Sequence, residues 1–158
     1  MKIESIAYAL PSKRVSNDEI IQEVLSKNSD HLENRERTLI ESMIRRFFKM
    51  SGTVTRFHRQ NGEKAIDFAL KAGREAIRKA GVNPQDIDLL IYAGVGRGWV
   101  EPATANLFQS ELNLSSATCF DVLDACASWI RSLAIARSFL AQKVYKLIMI
   151  INLSLIHI

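Results

Sequence analysis

Apolar and polar positions alternate through residues 3–10, with Ile6, Tyr8 and Leu10 two apart, and this period predicts a first β-strand. Ser16-Asn17-Asp18-Glu19 carries the Ser-x-x-Glu pattern of a capping box, so a helix is expected to open there and run through Ile20, Ile21, Val24 and Leu25. Residues 27–37 are polar and loop-like. Helical spacing returns over 38–50 through Leu39, Ile40, Met43, Ile44, Phe47 and Phe48, with Ser51-Gly52 as its stop. Residues 63–80 form the strongest amphipathic stretch, with Ile66, Ala69, Ala72, Ala76 and Ile77 on one side and Gly81 just past the end. A buried strand is predicted over 89–95, a short helix over 103–112 with Pro102 in its first turn, and strands over 117–123 and 144–151 around a helix over 125–142. Strands alternating with helices of this length imply right-handed crossovers, hence an α/β fold with a mostly parallel sheet and helices packed on it.

Composition narrows the function classes without choosing one. The chain has 158 residues, of which 47% are hydrophobic, which suffices for a real core and matches a globular protein. Lys and Arg number 21 against 17 Asp and Glu, a net charge of +4 that suits either an acidic partner or an ordinary solvated surface. The densest basic patch, Arg45-Arg46 with Lys49 around Phe47 and Phe48, pairs cations with aromatics as nucleic-acid surfaces do. An amphipathic helix explains it better, and no phosphate loop, zinc knuckle or recognition helix accompanies it, so no nucleic-acid partner is expected. His31, His58 and His157 lie far from the cysteines with no ligand spacing, so no metal is expected. The apolar stretch at 147–158 is broken by Asn152, Ser154 and His157 and is well short of the ~20 residues that span a bilayer, so no membrane partner is expected. Two unpaired cysteines and no secretory pattern at the start fit the cytoplasm.

Cys126 is the chemistry-bearing candidate. The run Thr118-Cys119-Phe120-Asp121-Val122-Leu123 stops at Asp124-Ala125-Cys126-Ala127-Ser128-Trp129, where helical spacing begins. A thiol at a helix start meets backbone N–H groups that lack intrahelical partners and favour a thiolate, or the oxyanion formed when that thiolate attacks a carbonyl. The plain alternative is an inert buried thiol, the common state of free cysteine. Asp121 and Asp124 resemble a carboxylate pair for acid–base work, but packing or capping at the strand end is the better reading. Trp129 and Leu133 share a helix side with Cys126 and are expected to pack in the core or line a tunnel.

Phe120-Asp121-Val122-Leu123-Asp124-Ala125-Cys126-Ala127 resembles the strand, turn and nucleophile helix of the thiolase-fold condensing enzymes, above all the ketoacyl-acyl-carrier-protein synthase III family. The resemblance runs along nearly the whole chain: Ala9-Leu10-Pro11 with Ser16-Asn17 is similar to the family's opening strand and helix start, and Gly52 with Arg56 keeps its Gly-x-x-x-Arg spacing. Ala80-Gly81 followed by Asp86-Ile87-Asp88 matches its turn and strand, and Pro102, Ala103, Ala105 and Gln109 match a helix start. The family's Cys-Ala-Gly-Phe is Cys126-Ala127-Ser128-Trp129 here, so Ser128 stands in place of a glycine and its hydroxymethyl is expected either to narrow the acyl tunnel or to hydrogen-bond an upstream carbonyl.

The resemblance implies the N-terminal half of a thiolase-like fold, an α-β-α-β-α sandwich when both halves are present. It implies an acyltransferase that uses Cys126 to take an acyl group from acyl-coenzyme A and condenses it with malonyl on an acyl carrier protein, in fatty-acid or related biosynthesis. No cofactor is implied; acyl-coenzyme A is a substrate. A histidine and an asparagine of the family's second half, not placed in this chain, would assist decarboxylation, and the full-length protein would be a homodimer. Residues 1–152 are therefore expected to form the half-domain, and 153–158, which match no segment of the family, to be a non-native tail at a truncation, with the piece inactive alone. The alternative from another class is a non-catalytic partner or dimerisation subunit of a condensing-enzyme complex.

Overall fold

The computed structural model describes residues 1–95 and 101–153, as two compact units: Leu10–Glu63, and Met1–Ala9 together with the chain from Lys64 onward. The expected tail therefore lies outside the described residues from position 154 on.

In the smaller unit, strand β1 (Lys13–Ser16) leads into helix α1 (Asn17–Lys27), then α2 (Asn34–Ser51) and β2 (Thr55–His58). The capping box forms as the sequence predicts. Ser16 Oγ accepts the Glu19 N–H at 3.2 Å, and Glu19 Oε2 accepts the Ser16 N–H at 2.7 Å. Replacing Ser16 with alanine is expected to cost about 1 kcal/mol, read as a lower denaturation midpoint. Hydrogen bonds from Ser16, backbone first, hold the Glu19 carboxyl below the usual carboxylate range. Its contribution is thus present above the unfolded-state value and is lost as pH falls through the depressed folded value; because the leading bond comes from the Ser16 N–H, which alanine retains, this loss in acid is expected in wild type and Ser16→Ala alike.

Three features of this unit differ from the sequence reading. The stretch 27–37 holds a short turn at Ser29–His31 and the start of α2, because Glu33 and Glu36 form a second reciprocal cap, with Glu36 Oε2 accepting the Glu33 N–H at 3.0 Å. The apolar residues of α2 split into two stripes: Ile40, Ile44 and Phe48 are half-buried, whereas Leu39, Met43, Phe47 and Met50 are exposed. β1 and β2 pair antiparallel, Val15 opposite Arg56, a ladder too short and too charged to show in the apolar pattern. Arg56 earns its place there: its Nη2 donates to Asn17 Oδ1 at 2.7 Å and its guanidinium lies 4.5 Å from the centre of the Phe48 ring.

The larger unit is built on a parallel sheet of order β4-β3-β5, from β3 (Leu89–Ala93), β4 (Thr118–Val122) and β5 (Ile148–Asn152). Every residue of β3 is buried, as a central parallel strand covered on both faces requires. Leu90 and Tyr92 enter one core with residues of α3 (Ala65–Ala80) and α4 (Thr104–Glu111), while Leu89 and Ile91 enter another with Ala136, Ile135 and Phe139 of α5 (Ser128–Ala141). The result is three layers, helix, sheet and helix. Gly81 stops α3 at φ 66°, a left-handed turn that glycine adopts without strain. Asp88 ties the sheet at its start: its carboxylate accepts the Lys146 and Leu147 N–H groups at 2.8 and 3.1 Å, and its carbonyl accepts the Thr118 N–H at 3.0 Å.

Residues 3–10 do not form the expected strand. Ser5, Ala7 and Ala9 are half-buried while Ile6, Tyr8 and Leu10 are exposed, so the period of two is present, but no neighbouring strand supplies ladder bonds among the described residues. Within Met1–Ala9, Ser5 Oγ donates to Ala76 O of α3 at 2.7 Å. The other elements begin and end within a few residues of their predicted bounds, save that the predicted helix over 125–142 opens with a separate tight turn, Ala125–Ala127.

Candidate active site

The site grows from the end of β4. Asp121 sits on that strand opposite Tyr92, and its two carboxylate oxygens accept the Thr104 and Ala105 N–H groups at 2.8 Å each. Those are first-turn amides of α4 that have no intrahelical acceptor, so the carboxylate caps the helix and complements its positive end. The sequence reading of Asp121 as a capping residue holds. Its charge also acts on two neighbours. Burial, and then Asp121, push the Cys119 thiol and the Tyr92 hydroxyl above their ordinary values. Cys119 is half-buried with its Sγ 3.3 Å from Gln109 Oε1, an environment that keeps it a thiol through neutral pH.

Beyond Val122 the chain enters a five-residue turn with Cys126 at its middle. Ala125 has φ 44°, a left-handed conformation that a residue with a Cβ adopts only at a cost of about 1–3 kcal/mol. Ala127 N–H donates to Asp124 O at 2.9 Å, and Ser128 N–H donates to Ala125 O. Ser128 Oγ, fully buried, accepts the Asp124 N–H at 2.8 Å and donates to Ala125 O at 2.8 Å. Of the two roles expected for its hydroxymethyl, the hydrogen bond to an upstream carbonyl is present. Asp124 Oδ2 also takes Nε and Nη2 of Arg131 at 2.8 and 2.6 Å, joining the head of the turn to the second turn of α5.

Cys126 itself is exposed, one residue before the N-cap of α5, and none of the hydrogen bonds among the described residues takes up its N–H. An accessible thiol, an amide on the same residue outside the hydrogen bonds of the turn and the positive end of a fourteen-residue helix just beyond lie together, the arrangement that covalent attack on a carbonyl requires. Trp129, partly exposed, lines a groove of about 400 Å³ with Ser5, Ala7, Gly73, Met149 and Asn152. For Ser128, the bond to an upstream carbonyl was among the sequence expectations, whereas its acceptance of the Asp124 N–H needed the structure. Its signal was present as a hydroxyl four residues past Asp124.

His31 lies in the Ser29–His31 turn and His58 on β2, both in the smaller unit, whereas Cys126 belongs to the larger one. Among the described residues no group of three or more His, Cys, Asp or Glu is placed to hold a metal ion, and no helix is long and apolar enough to cross a membrane.

A parallel sheet with helices on both faces, and a strand, strained turn and helix that present an exposed cysteine, belong to a thiolase-like fold class, to which the matching solved structures assign the chain. Within that class the chain is similar to β-ketoacyl-acyl-carrier-protein synthase III along nearly its whole length. It is 30% identical to the synthase III of Clostridium beijerinckii over 146 residues, which cover 92% of this chain and 40% of that one. With the enzyme of Symbiobacterium thermophilum the identity is 39% over 94 residues, 60% of this chain and 28% of that one. Among solved structures, OleA of Xanthomonas campestris superposes with a TM-score of 0.76 at 25% identity, covering 95% of this chain and 42% of that one. The 3-oxoacyl-acyl-carrier-protein synthase III of Aquifex aeolicus gives 0.75 at 24%, covering 96% and 44%. The chain thus spans less than half the length of these relatives. No protein-family model matches it.

Proposed function

We propose that the protein of which this chain is part is a ketoacyl synthase III-like acyltransferase, in which Cys126 carries the acyl group during a decarboxylative condensation in fatty-acid or related biosynthesis. The observation that carries the reading is the exposed Cys126 at the middle of the strained turn between β4 and α5. In the first half-reaction the Cys126 thiolate attacks the carbonyl carbon of an acyl thioester. A carbon–sulfur bond forms, the bond to the coenzyme A sulfur breaks, and the departing thiolate takes up the proton Cys126 has lost. The Cys126 N–H and the positive end of α5 meet the tetrahedral oxyanion, where each such donor is typically worth ~3 kcal/mol. In the second, malonyl on an acyl carrier protein loses carbon dioxide. The resulting carbanion attacks the acyl-cysteine carbonyl, forming a carbon–carbon bond as the bond to Cys126 breaks and the thiolate is restored.

An OleA cysteine-to-serine variant has been solved with bound lauric acid and lauroyl-CoA, which makes a long-chain acyl-CoA a sensible first probe. The deciding experiment supplies acyl-CoA and malonyl-carrier protein to the protein and follows carbon dioxide and carrier-bound product by mass spectrometry. A β-ketoacyl product two carbons longer than the donor supports the reading. Acyl hydrolysis alone, or no turnover, removes the condensing activity and favours a non-catalytic partner subunit.

A further inference from the structure

We propose that Ser128 is a positioning residue for Cys126, holding the nucleophile's turn closed through its hydroxyl; the inference rests on the reading of Cys126 as the acyl acceptor. The turn runs from Asp124 to Ser128, and the Ser128 hydroxyl touches both of the residues that precede the nucleophile. It receives the Asp124 N–H and gives its own proton to the Ala125 carbonyl, each at 2.8 Å. Ala125 O thereby accepts twice from one residue, since the Ser128 N–H reaches it as well. These bonds close the backbone into a loop with Cys126 at the apex and hold Ala125 at φ 44°, a conformation its methyl group disfavours. An unstrained Ala125 would swing the Cys126 amide and thiol to a different angle, because they are the next groups along the chain.

Burial alone does not account for these bonds. Ser132, one turn on along α5 and equally buried, has a hydroxyl with no hydrogen-bond partner among the described residues. The same helix side therefore tolerates a serine hydroxyl that is left alone, whereas that of Ser128 has both a donor and an acceptor from the turn. Ser128 also differs in chemistry from the glycine that the resembling family carries there. Glycine has no hydroxyl to lend, so the two bonds from the Ser128 hydroxyl are particular to a serine at this position. The Asp124–Arg131 pair at 2.6 Å is a second tie on the outer side, exposed and therefore weaker.

The role makes the two properties of Cys126 separable. Attack on a thioester needs thiol and oxyanion donor aligned together, whereas alkylation by iodoacetamide needs only an accessible thiolate and develops no oxyanion. In Ser128→Ala, acylation of Cys126 by a long-chain acyl-CoA is expected to slow on the order of 10- to 100-fold, the scale of a small misplacement at a reacting centre. Alkylation of the same cysteine should keep its rate within about twofold, with an unchanged pH profile. Ser128→Thr, which restores the hydroxyl, is expected to recover most of the acylation rate. Ser128→Ala acylating at the wild-type rate overturns the inference and leaves the proposed function standing. Acylation and alkylation falling together, with a lowered melting temperature, also overturns it, because the residue is then only structural. A wild-type protein that no acyl thioester modifies, though iodoacetamide does, overturns the proposed function and this inference with it.

Discussion

Cys126→Ala is expected to lose acyl transfer by on the order of 10⁴-fold or more while keeping its thermal unfolding unchanged. The two halves of that expectation have separate causes. Chemically, alanine cannot form the thioester on which both half-reactions depend, and no neighbouring group substitutes, since the half-buried Cys119 is held as a thiol by burial and by Asp121. Structurally, the Cys126 side chain is exposed, and none of the hydrogen bonds that close its turn involves its sulfur. Removing it leaves no cavity of consequence, and alanine suits the start of a helix. Initial rates with a long-chain acyl-CoA, beside a calorimetric scan of the same preparations, check both. A variant that unfolds earlier by many degrees would mean that the thiol is a packing residue after all.

Asp121→Ala is expected to be the most destabilising single change at the site, by about 3 kcal/mol. Both carboxylate oxygens are engaged, and the donors, Thr104 and Ala105, are buried, so their amides meet no water when the carboxylate is gone. Charge-assisted bonds of this kind contribute more than neutral ones. The larger unit has the size at which such a loss lowers the melting temperature by roughly 15 °C. Asp121→Asn gives a graded control: one amide oxygen can serve one N–H but its NH₂ cannot serve the other, so about half the loss is expected. Equal stability of wild type and Asp121→Ala, by chemical denaturation, would contradict the capping role.

Much of this architecture was legible in the apolar pattern, for reasons particular elements make plain. β3 reads as a buried strand because both faces of a central parallel strand meet helices, leaving five successive apolar positions, Leu89 to Ala93. α3 reads as a helix because its apolar stripe and Gly81 stop agree. The β1–β2 ladder did not show, because each strand is four residues long and only Val15 and Phe57 are apolar, too few for a period-two signal. Residues 3–10 failed in the opposite way: the alternation is real, but a strand also needs a neighbour, and a neighbour is not written in local sequence. For α2, spacing found the helix but could not say which of two adjacent apolar stripes packs, since Ile40, Ile44, Phe48 and Leu39, Met43, Phe47 are alike in period. At the site, Cys126 was visible from residue type and context. The positive φ of Ala125 and the double use of the Ser128 hydroxyl were not, because both follow from how a five-residue turn closes.

The measurement that bears most directly on Cys126 as the acyl acceptor is mass spectrometry of the protein after brief exposure to a long-chain acyl-CoA, followed by proteolysis and peptide mapping. The expected result is a single adduct of one acyl group, located on Cys126, labile to hydroxylamine as a thioester is, and discharged when malonyl-carrier protein is added. An unmodified protein, or an acyl group spread over Cys119 and surface lysines with Cys126 untouched, would contradict it.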